Sequence, residues 1–250
     1  MRVAFYTLGC KLNQAETESL ASRFSKAGFQ LVSPGDGADI YIANTCTVTH
    51  IADRKSRHRL RLARCQNPEA LVVATGCYAA RAAGELESIE GVGLVTPDRC
   101  NQNIISSIKK AGYFPTNKGK SDRPLPPRAM LKIQQGCSQT CSYCIVPRTR
   151  GEEQSIPKVQ VLKEVNDLIT DGYKEIVLTG THIGARGDLE DLIKQILDET
   201  DIEKGYVIAC LSEVKSDIRV TIPEESRMDE KPEYDGREAG GLFAAGNGGL

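Results

Sequence analysis

The sequence predicts an α/β protein that is built on parallel sheets and divided into two segments. Short apolar runs alternate with stretches of helical spacing, such as Leu20 and Phe24, which are four residues apart. Strands and helices in alternation form a parallel sheet whose faces are covered by helices. A Pro-rich stretch interrupts the alternation, and a Gly-rich stretch ends the chain. The predicted units are an N-terminal domain at 1–114, a linker at 115–128, a second domain at 129–211 and a disordered tail at 212–250.

The predicted strands of the N-terminal domain are short apolar runs, and the predicted helices lie between them. The strands are expected at 3–8, 29–32, 39–43, 71–75 and 93–96. The helices are expected at 15–27, 53–65, 80–89 and 101–111.

The second domain repeats the pattern with fewer units. Strands are expected at 129–134, 175–178 and 206–211, and helices at 159–170 and 189–199. These units are too few to close a (β/α)₈ barrel, so the domain is predicted to be a partial barrel. The many prolines of 115–128 favour a linker over a long ordered loop. The tail has neither helical nor strand periodicity.

Composition excludes some functions and draws attention to the cysteines. The 250 residues carry 32 Lys and Arg against 33 Asp and Glu, which excludes a histone-like polyanion-coating protein but not a local basic patch. No apolar run approaches the roughly 20 residues of a membrane span, so we expect a cytoplasmic protein without membrane contact. Nine cysteines in a reducing compartment indicate core packing, metal ligation or redox chemistry.

Cys10, Cys46 and Cys77 each follow an apolar strand directly. Because the carboxyl ends of parallel strands share one edge of the sheet, these thiols could converge there. Gly9 and Gly76 would allow something bulky to approach the backbone closely. Three thiolates suit a cubane iron–sulfur cluster with one open iron, or a zinc ion with a fourth ligand from elsewhere. The alternative is three unrelated buried cysteines.

A second group of cysteines lies in one loop after a strand of the second domain. Cys137, Cys141 and Cys144 have C-x₃-C-x₂-C spacing, which lets three thiolates surround one cluster. Zinc normally needs a fourth Cys or His at short range, and the next His is His182. The loop therefore favours an iron–sulfur cluster over zinc.

This loop resembles the signature of the radical S-adenosylmethionine (SAM) superfamily. The resemblance implies a 4Fe-4S cluster whose open iron binds SAM and whose electron cleaves SAM to a 5′-deoxyadenosyl radical. It also implies that Tyr143, before the last cysteine, lies near the adenine of SAM; the alternative is a loop aromatic that packs on the barrel rim. Gly180 and His182 are expected to line the SAM pocket; a general base is the less favoured role for His182.

With the N-terminal cysteines added, residues 1–199 resemble the radical SAM methylthiotransferase family, most closely its bacterial MtaB type. The segments that carry this resemblance are 7–18, 44–57 and 177–184. It implies an N-terminal methylthiotransferase domain with an auxiliary 4Fe-4S cluster, followed by a truncated radical SAM domain. The later barrel units and the C-terminal β domain of the family are not recognisable in the remaining residues.

The resemblance also implies a reaction. SAM would be both radical source and methyl donor, and C2 of N6-threonylcarbamoyladenosine beside the tRNA anticodon would gain a methylthio group. Isopentenyladenosine in tRNA and a ribosomal-protein aspartate are the alternative substrates in the family. An iron–sulfur module without turnover and a zinc-stabilised RNA-binding protein are the alternatives of another class. A reductant protein and a sulfur donor would be further partners of a monomer.

A basic stretch follows the second cysteine. At about 100° per residue, Arg54, Arg57, Arg61 and Arg64 share one arc of a helix and could contact tRNA phosphates. The alternative is a solvated helix face. Arg148 and Arg150 could contact substrate or SAM, or could pair with the neighbouring Glu152 or Glu153.

Overall fold

A computed structural model describes residues 1–97, 103–115, 128–139, 141–173, 175–199 and 207–210. In the N-terminal domain the strands are β1 (Arg2–Thr7), β2 (Gln30–Leu31), β3 (Ile40–Thr45), β4 (Leu71–Gly76) and β5 (Val92–Val95). The helices are α1 (Lys11–Lys26), α2 (His50–Gln66), α3 (Cys77–Glu87) and α4 (Ile104–Lys110). All strand pairs are parallel and their order is β2-β1-β3-β4-β5. The predicted helix-covered parallel sheet is confirmed.

Side chains alternate between the two faces of this sheet along each strand, and helices bury both faces. Val3 and Phe5 pack with residues of α1 and α4 on one face. Ala4 and Tyr6 pack with residues of α2 and α3 on the other. Strands that are covered on both sides read as continuous apolar runs, which is why the sequence reveals them clearly. Each fully buried Phe, Ile or Leu contributes about 1.5–3 kcal/mol.

The second domain is shorter and open. Its elements are β6 (Arg128–Lys132), β7 (Gln134–Gln135), α5 (Val146–Arg150), β8 (Gln154–Ser155), α6 (Lys158–Thr170), β9 (Glu175–Thr179), α7 (Leu189–Glu199) and β10 (Val207–Cys210). In the parallel sheet β9 lies between β6 and β10, so the strands are arranged in the order in which they occur along the chain, as in a (β/α) barrel. Among the described residues this sheet does not close. The antiparallel pair of β7 and β8 flanks the cysteine-rich loop.

The differences from the predicted elements lie at helix starts and in short elements. Helix α1 begins directly after Cys10, which is its N-cap without a side-chain cap bond, and α3 begins at Cys77. Neither start has the Ser, Thr, Asp or Asn cap that marks a helix in a sequence. The elements β7, α5 and β8 are too short for a periodic pattern. The predicted linker, apart from Pro115 and Arg128, and the predicted tail lie outside the described residues.

The two domains pack together through α1. Ala15 of α1 is buried with Met130 of β6 and Val177 of β9. The Met130 backbone N–H donates to Glu18 Oε2 at 2.9 Å, and α5 packs against α3. This packing places the helix that follows the cysteine-rich loop of the second domain against the helix that begins at Cys77. None of the described helices is long and apolar enough to cross a bilayer.

Candidate functional site

The three N-terminal cysteines lie at the carboxyl edge of the first sheet. Cys10, Cys46 and Cys77 follow β1, β3 and β4 in turn. The strand order reverses between β1 and β3, and open α/β sheets bind ligands in the crevice outside the carboxyl ends at such a reversal. The structure therefore places these thiols where the architecture makes room for a ligand.

Asn13 ties the cysteine loops together. Its side chain is fully buried, and its Nδ2 donates to the carbonyl oxygens of Leu8 at 2.8 Å and Thr45 at 3.2 Å. Its Oδ1 lies 3.8 Å from the Sγ atoms of both Cys10 and Cys77. One amide thus fixes the loops before Cys10 and Cys46 and holds an oxygen between two of the thiols.

Gly9 brings the third thiol into the same group. It has a φ of 103°, and a Cβ there would lie 2.9 Å from Cys46 Sγ and 2.8 Å from Cys46 Cβ. Any other side chain would push the Cys10 and Cys46 loops apart. The convergence of Cys10, Cys46 and Cys77 therefore depends on the absence of a side chain at Gly9.

Burial favours the neutral thiols at this site, whereas the helix N-termini favour the thiolate anions. Burial raises the pKa of Cys77 to about 11, and the nearby Arg150 charge opposes this. Burial is also the main reason that the pKa of Cys46 is raised. Cys10 and Cys77 lie at the N-termini of α1 and α3, where backbone N–H groups favour an anion. A metal centre at this site must displace thiol protons, which these helix ends favour.

The donor set fits an iron–sulfur cluster. Three soft sulfur ligands come from three separate loops, and Cys10 is exposed, so the group is open on one side. No three His, Cys, Asp or Glu side chains in the described part of the chain have the arrangement of a site for one metal ion.

The second cysteine group lies in the loop between β7 and α5. The Cys137 N–H donates to the Gly151 carbonyl at 3.1 Å, and the Cys144 N–H donates to the Cys141 carbonyl at 3.1 Å. Cys141 is exposed, whereas Cys137 and Cys144 are half-buried. The turn from Cys141 to Cys144 is thus closed by a backbone hydrogen bond and leaves Cys141 at the surface. Thr140 within the loop lies outside the described residues.

Gln134 joins this loop to the carboxyl end of β9, and sequence reasoning missed it. Its buried Oε1 accepts the N–H groups of Thr181 and His182, each at 2.8 Å. Its Nε2 donates to the carbonyls of Gln135 at 3.1 Å and Gly136 at 2.9 Å. All four side-chain hydrogen bonds are therefore made. The only signal in the sequence was a pair of glutamines at the end of an apolar strand.

Three further residues were predicted to contact SAM. Tyr143 is 90% exposed beside the thiol loop. Gly180 lies against Gln134, since a Cβ there would come within 3.0 Å of the Gln134 carbonyl and Oε1. His182 Nδ1 lies 3.4 Å from Glu153 Oε2, outside hydrogen-bond alignment. Gly180 and His182 border the same loop, whereas Tyr143 projects into solvent.

Arg150 pairs with neither Glu152 nor Glu153. Its Nη1 lies 2.8 Å from Glu16 Oε1, and its Nη2 donates to Asn13 Oδ1. Burial would lower the pKa of this guanidinium, but Glu16 and the nearby thiols hold it above the usual value. The second domain therefore places a cation beside the cysteines of the first.

The four arginines of α2 differ in exposure. Arg54, Arg61 and Arg64 are exposed, and the stem of Arg64 packs over Gly91. Arg57 is half-buried and donates to the Tyr78 hydroxyl at 2.7 Å. Three of the four arginines that were predicted to contact phosphates thus lie on the exposed face of the helix, and Arg57 connects α2 to α3.

Two sequence families match the two domains. Residues 2–96 match the family described as Uncharacterized protein family UPF0004, and residues 131–225 match the Radical SAM superfamily. The second match runs past residue 199, where the recognisable resemblance was expected to end.

Curated relatives match across both domains. The threonylcarbamoyladenosine tRNA methylthiotransferase MtaB of Bacillus subtilis (strain 168) is 40% identical in an alignment of 219 positions, which covers 80% of this chain and 48% of that protein. The protein of the same name from Aquifex aeolicus (strain VF5) is 37% identical over 75% of this chain and 49% of its own. The tRNA-2-methylthio-N(6)-dimethylallyladenosine synthase of Methylacidiphilum infernorum (isolate V4) is 34% identical over 74% of this chain and 44% of its own. The chain spans about half the length of these relatives.

A solved structure has the same fold. The radical S-adenosylmethionine methyltransferase TsrM from Kitasatospora setae, with tryptophan substrate and a SAM analogue bound, matches with a TM-score of 0.54 and 12% identity, over 82% of this chain and 52% of that one. The two matching family models, the relatives and the two cysteine groups agree. The chain belongs to the radical SAM methylthiotransferase family.

Proposed function

We propose that this protein methylthiolates C2 of N6-threonylcarbamoyladenosine beside the anticodon of tRNA, with SAM and two 4Fe-4S clusters as cofactors. The observation that carries the proposal is the junction of the two domains, where Arg150 of the second domain reaches the cysteine group of the first. A reaction that needs sulfur and a radical at one substrate carbon needs both centres close together.

The two cysteine groups would each hold one cluster. Cys10, Cys46 and Cys77 would hold the auxiliary cluster, and Cys137, Cys141 and Cys144 the cluster that binds SAM. When bound, these groups supply the one-electron cleavage of SAM and the delivery of sulfur. The protein's own contribution is to hold the ligands, exclude water and position the substrate.

Several polar residues would position SAM. Gln134 fixes the backbone of Thr181 and His182 against the Gly136 loop, so the carboxyl end of β9 cannot move independently of the thiols. Gly180 and His182 would line the SAM pocket, and the exposed Tyr143 ring would pack on the adenine.

The exposed face of α2 would bind tRNA. Arg54, Arg61 and Arg64 lie on a helix that begins shortly after Cys46, whose carbonyl accepts a hydrogen bond from Ser56 at 3.1 Å. Phosphates that bind this face would bring RNA toward the auxiliary cluster. A protein that acts on tRNA in this way would work in the cytoplasm as a monomer, with a reductant protein and a sulfur donor as partners.

The substrate proposal rests on the relatives' names. The relatives at 40% and 37% identity are named for threonylcarbamoyladenosine. A dimethylallyladenosine substrate is the second candidate, because a relative at 34% identity is named for it.

The test is a reconstituted reaction without oxygen. The chain, SAM, dithionite and bulk tRNA that lacks both methylthio modifications are incubated, and the nucleosides are analysed by mass spectrometry. The proposal predicts a methylthio gain on threonylcarbamoyladenosine that is absent with Cys144→Ala. A gain on dimethylallyladenosine alone would establish the second candidate, and no gain on either nucleoside would contradict both.

A further inference from the structure

We propose that Arg150 is a positioning residue that couples the two cysteine sites, with its positive charge set against the auxiliary cluster of the first domain. This inference rests on the proposed function only in taking Cys10, Cys46 and Cys77 as cluster ligands. It assigns Arg150, Asn13 and Glu16 a role in tuning that cluster.

The geometry centres on one oxygen atom. Asn13 Oδ1 accepts a hydrogen bond from Arg150 Nη2 and lies 3.8 Å from the sulfurs of Cys10 and Cys77. A cation and two cluster ligands therefore surround the same atom. Charge interactions of Arg150 with Cys10 and Cys77 follow directly from this arrangement.

The pairing of Arg150 is also specific. Arg150 could have paired with its sequence neighbours Glu152 and Glu153, but its guanidinium extends into the other domain and bonds Glu16 there. The side chains of Arg150 and Glu16 are 9% and 7% exposed. Removing two charges from water costs free energy that their mutual attraction need not recover, so the stability of the fold alone does not explain this buried pair. An opposite charge close to a cluster, in contrast, is a direct means of setting its reduction potential.

The chain connects this cation to the second cysteine group as well. Arg150 is the last residue of α5, which begins two residues after Cys144 and packs against α3, the helix that begins at Cys77. A shift of the SAM-binding loop would thus move a charge at the auxiliary cluster. One short helix and the ion pair of Arg150 with Glu16 connect the two sites, and Lys132 Nζ lies 3.4 Å from the same Glu16 carboxylate.

The two ends of the ion pair predict opposite effects on the auxiliary cluster. Adding an electron makes the cluster more negative, so a nearby cation favours the reduced form and a nearby anion opposes it. Arg150→Gln should lower the reduction potential, and Glu16→Gln should raise it. We expect at least a tenfold change in the reduction equilibrium in each case, which is about 59 mV for one electron.

The experiment is a redox titration followed by EPR spectroscopy. Reconstituted chain carrying Cys144→Ala is reduced with dithionite, so that only the auxiliary cluster accepts an electron, and Arg150→Gln and Glu16→Gln are compared in that background. Arg148→Gln is the matched control, because Arg148 is exposed on the same helix and loses the same charge. Shifts of opposite sign for the pair, and none for Arg148→Gln, support the proposal.

The other outcomes overturn it. If both variants shift the potential in the same direction, or neither does, Arg150 has only a structural role and the cluster assignment stands. If the Cys144→Ala chain binds no iron, the proposed auxiliary site itself is wrong and the inference falls with it. Should Arg150→Gln fail to fold, Glu16→Gln decides alone, and the absence of a positive shift there rejects the proposal.

Discussion

Replacing Asn13 with alanine should destabilise the protein more than any single surface change. The variant loses three hydrogen bonds with nitrogen donors, two to the carbonyls of Leu8 and Thr45 and one from Arg150, together with the two weak bonds from the Cys10 and Cys77 thiols. Each such bond contributes about 1 kcal/mol net, and the site is fully buried, so we expect a loss of about 3 kcal/mol. That loss is a large part of the roughly 5–15 kcal/mol that stabilises an ordinary domain.

The assay is urea denaturation of the metal-free chain, followed by iron analysis after reconstitution. Gln66→Ala is the matched control, because this exposed amide accepts one bond, from the Tyr6 hydroxyl at 2.6 Å, and its loss should cost about 1 kcal/mol or less. Asn13→Ala should also bind less iron, since the Cys10 and Cys46 loops lose their common anchor. If Asn13→Ala is no less stable than Gln66→Ala, Asn13 does not hold these loops together.

Three further predictions concern backbone, pH and RNA. Gly136→Ala should cost about 2 kcal/mol more in unfolding free energy than Gly112→Ala, because both have positive φ but only Gly136 faces a backbone carbonyl; equal costs would reject this. Burial raises the pKa of Glu18, so the folded state holds this proton more tightly and stability falls as pH rises from 4 to 7. Glu18→Gln, which keeps the acceptor oxygen, should therefore be more stable than the parent chain at pH 7 and lose this advantage at pH 4; an advantage that does not change with pH would contradict the sign. Arg61→Gln should flatten the slope of log tRNA affinity against log salt by about 0.9, whereas Lys110→Gln on the opposite face of the sheet should not change it. If Arg61→Gln has the same slope as the parent chain, the exposed face of α2 does not bind tRNA.

The sequence was sufficient to predict the helices and strands whose buried apolar side chains recur with a regular period. Strands β3 and β4 read as apolar runs because both of their faces are covered, and the helix predicted at 189–199 agrees with α7. The positions of Cys10, Cys46 and Cys77 at the ends of parallel strands were also enough to predict that they converge, because the carboxyl ends of such strands share one edge of the sheet.

The partners of the polar residues could not be predicted in the same way. Arg150 has two glutamates close in sequence, yet it pairs with Glu16, because only the packing of α1 on β6 brings that carboxylate near. Arg57 shares one arc of α2 with the exposed arginines, but its guanidinium donates a hydrogen bond to the Tyr78 hydroxyl. Such contacts depend on how separate helices and strands pack, which cannot be predicted from the residues next to each other in the sequence.

The most direct test of the central claim is the iron and sulfide content of the chain reconstituted without oxygen. Two cubane clusters predict about eight iron and eight sulfide per chain. Cys46→Ala and Cys137→Ala should each reduce the count to about four, while Cys65→Ala, an exposed cysteine on α2, should leave it unchanged. A count that is insensitive to Cys46→Ala and Cys137→Ala, or one that falls equally with Cys65→Ala, would contradict the assignment of the two cysteine groups as cluster sites.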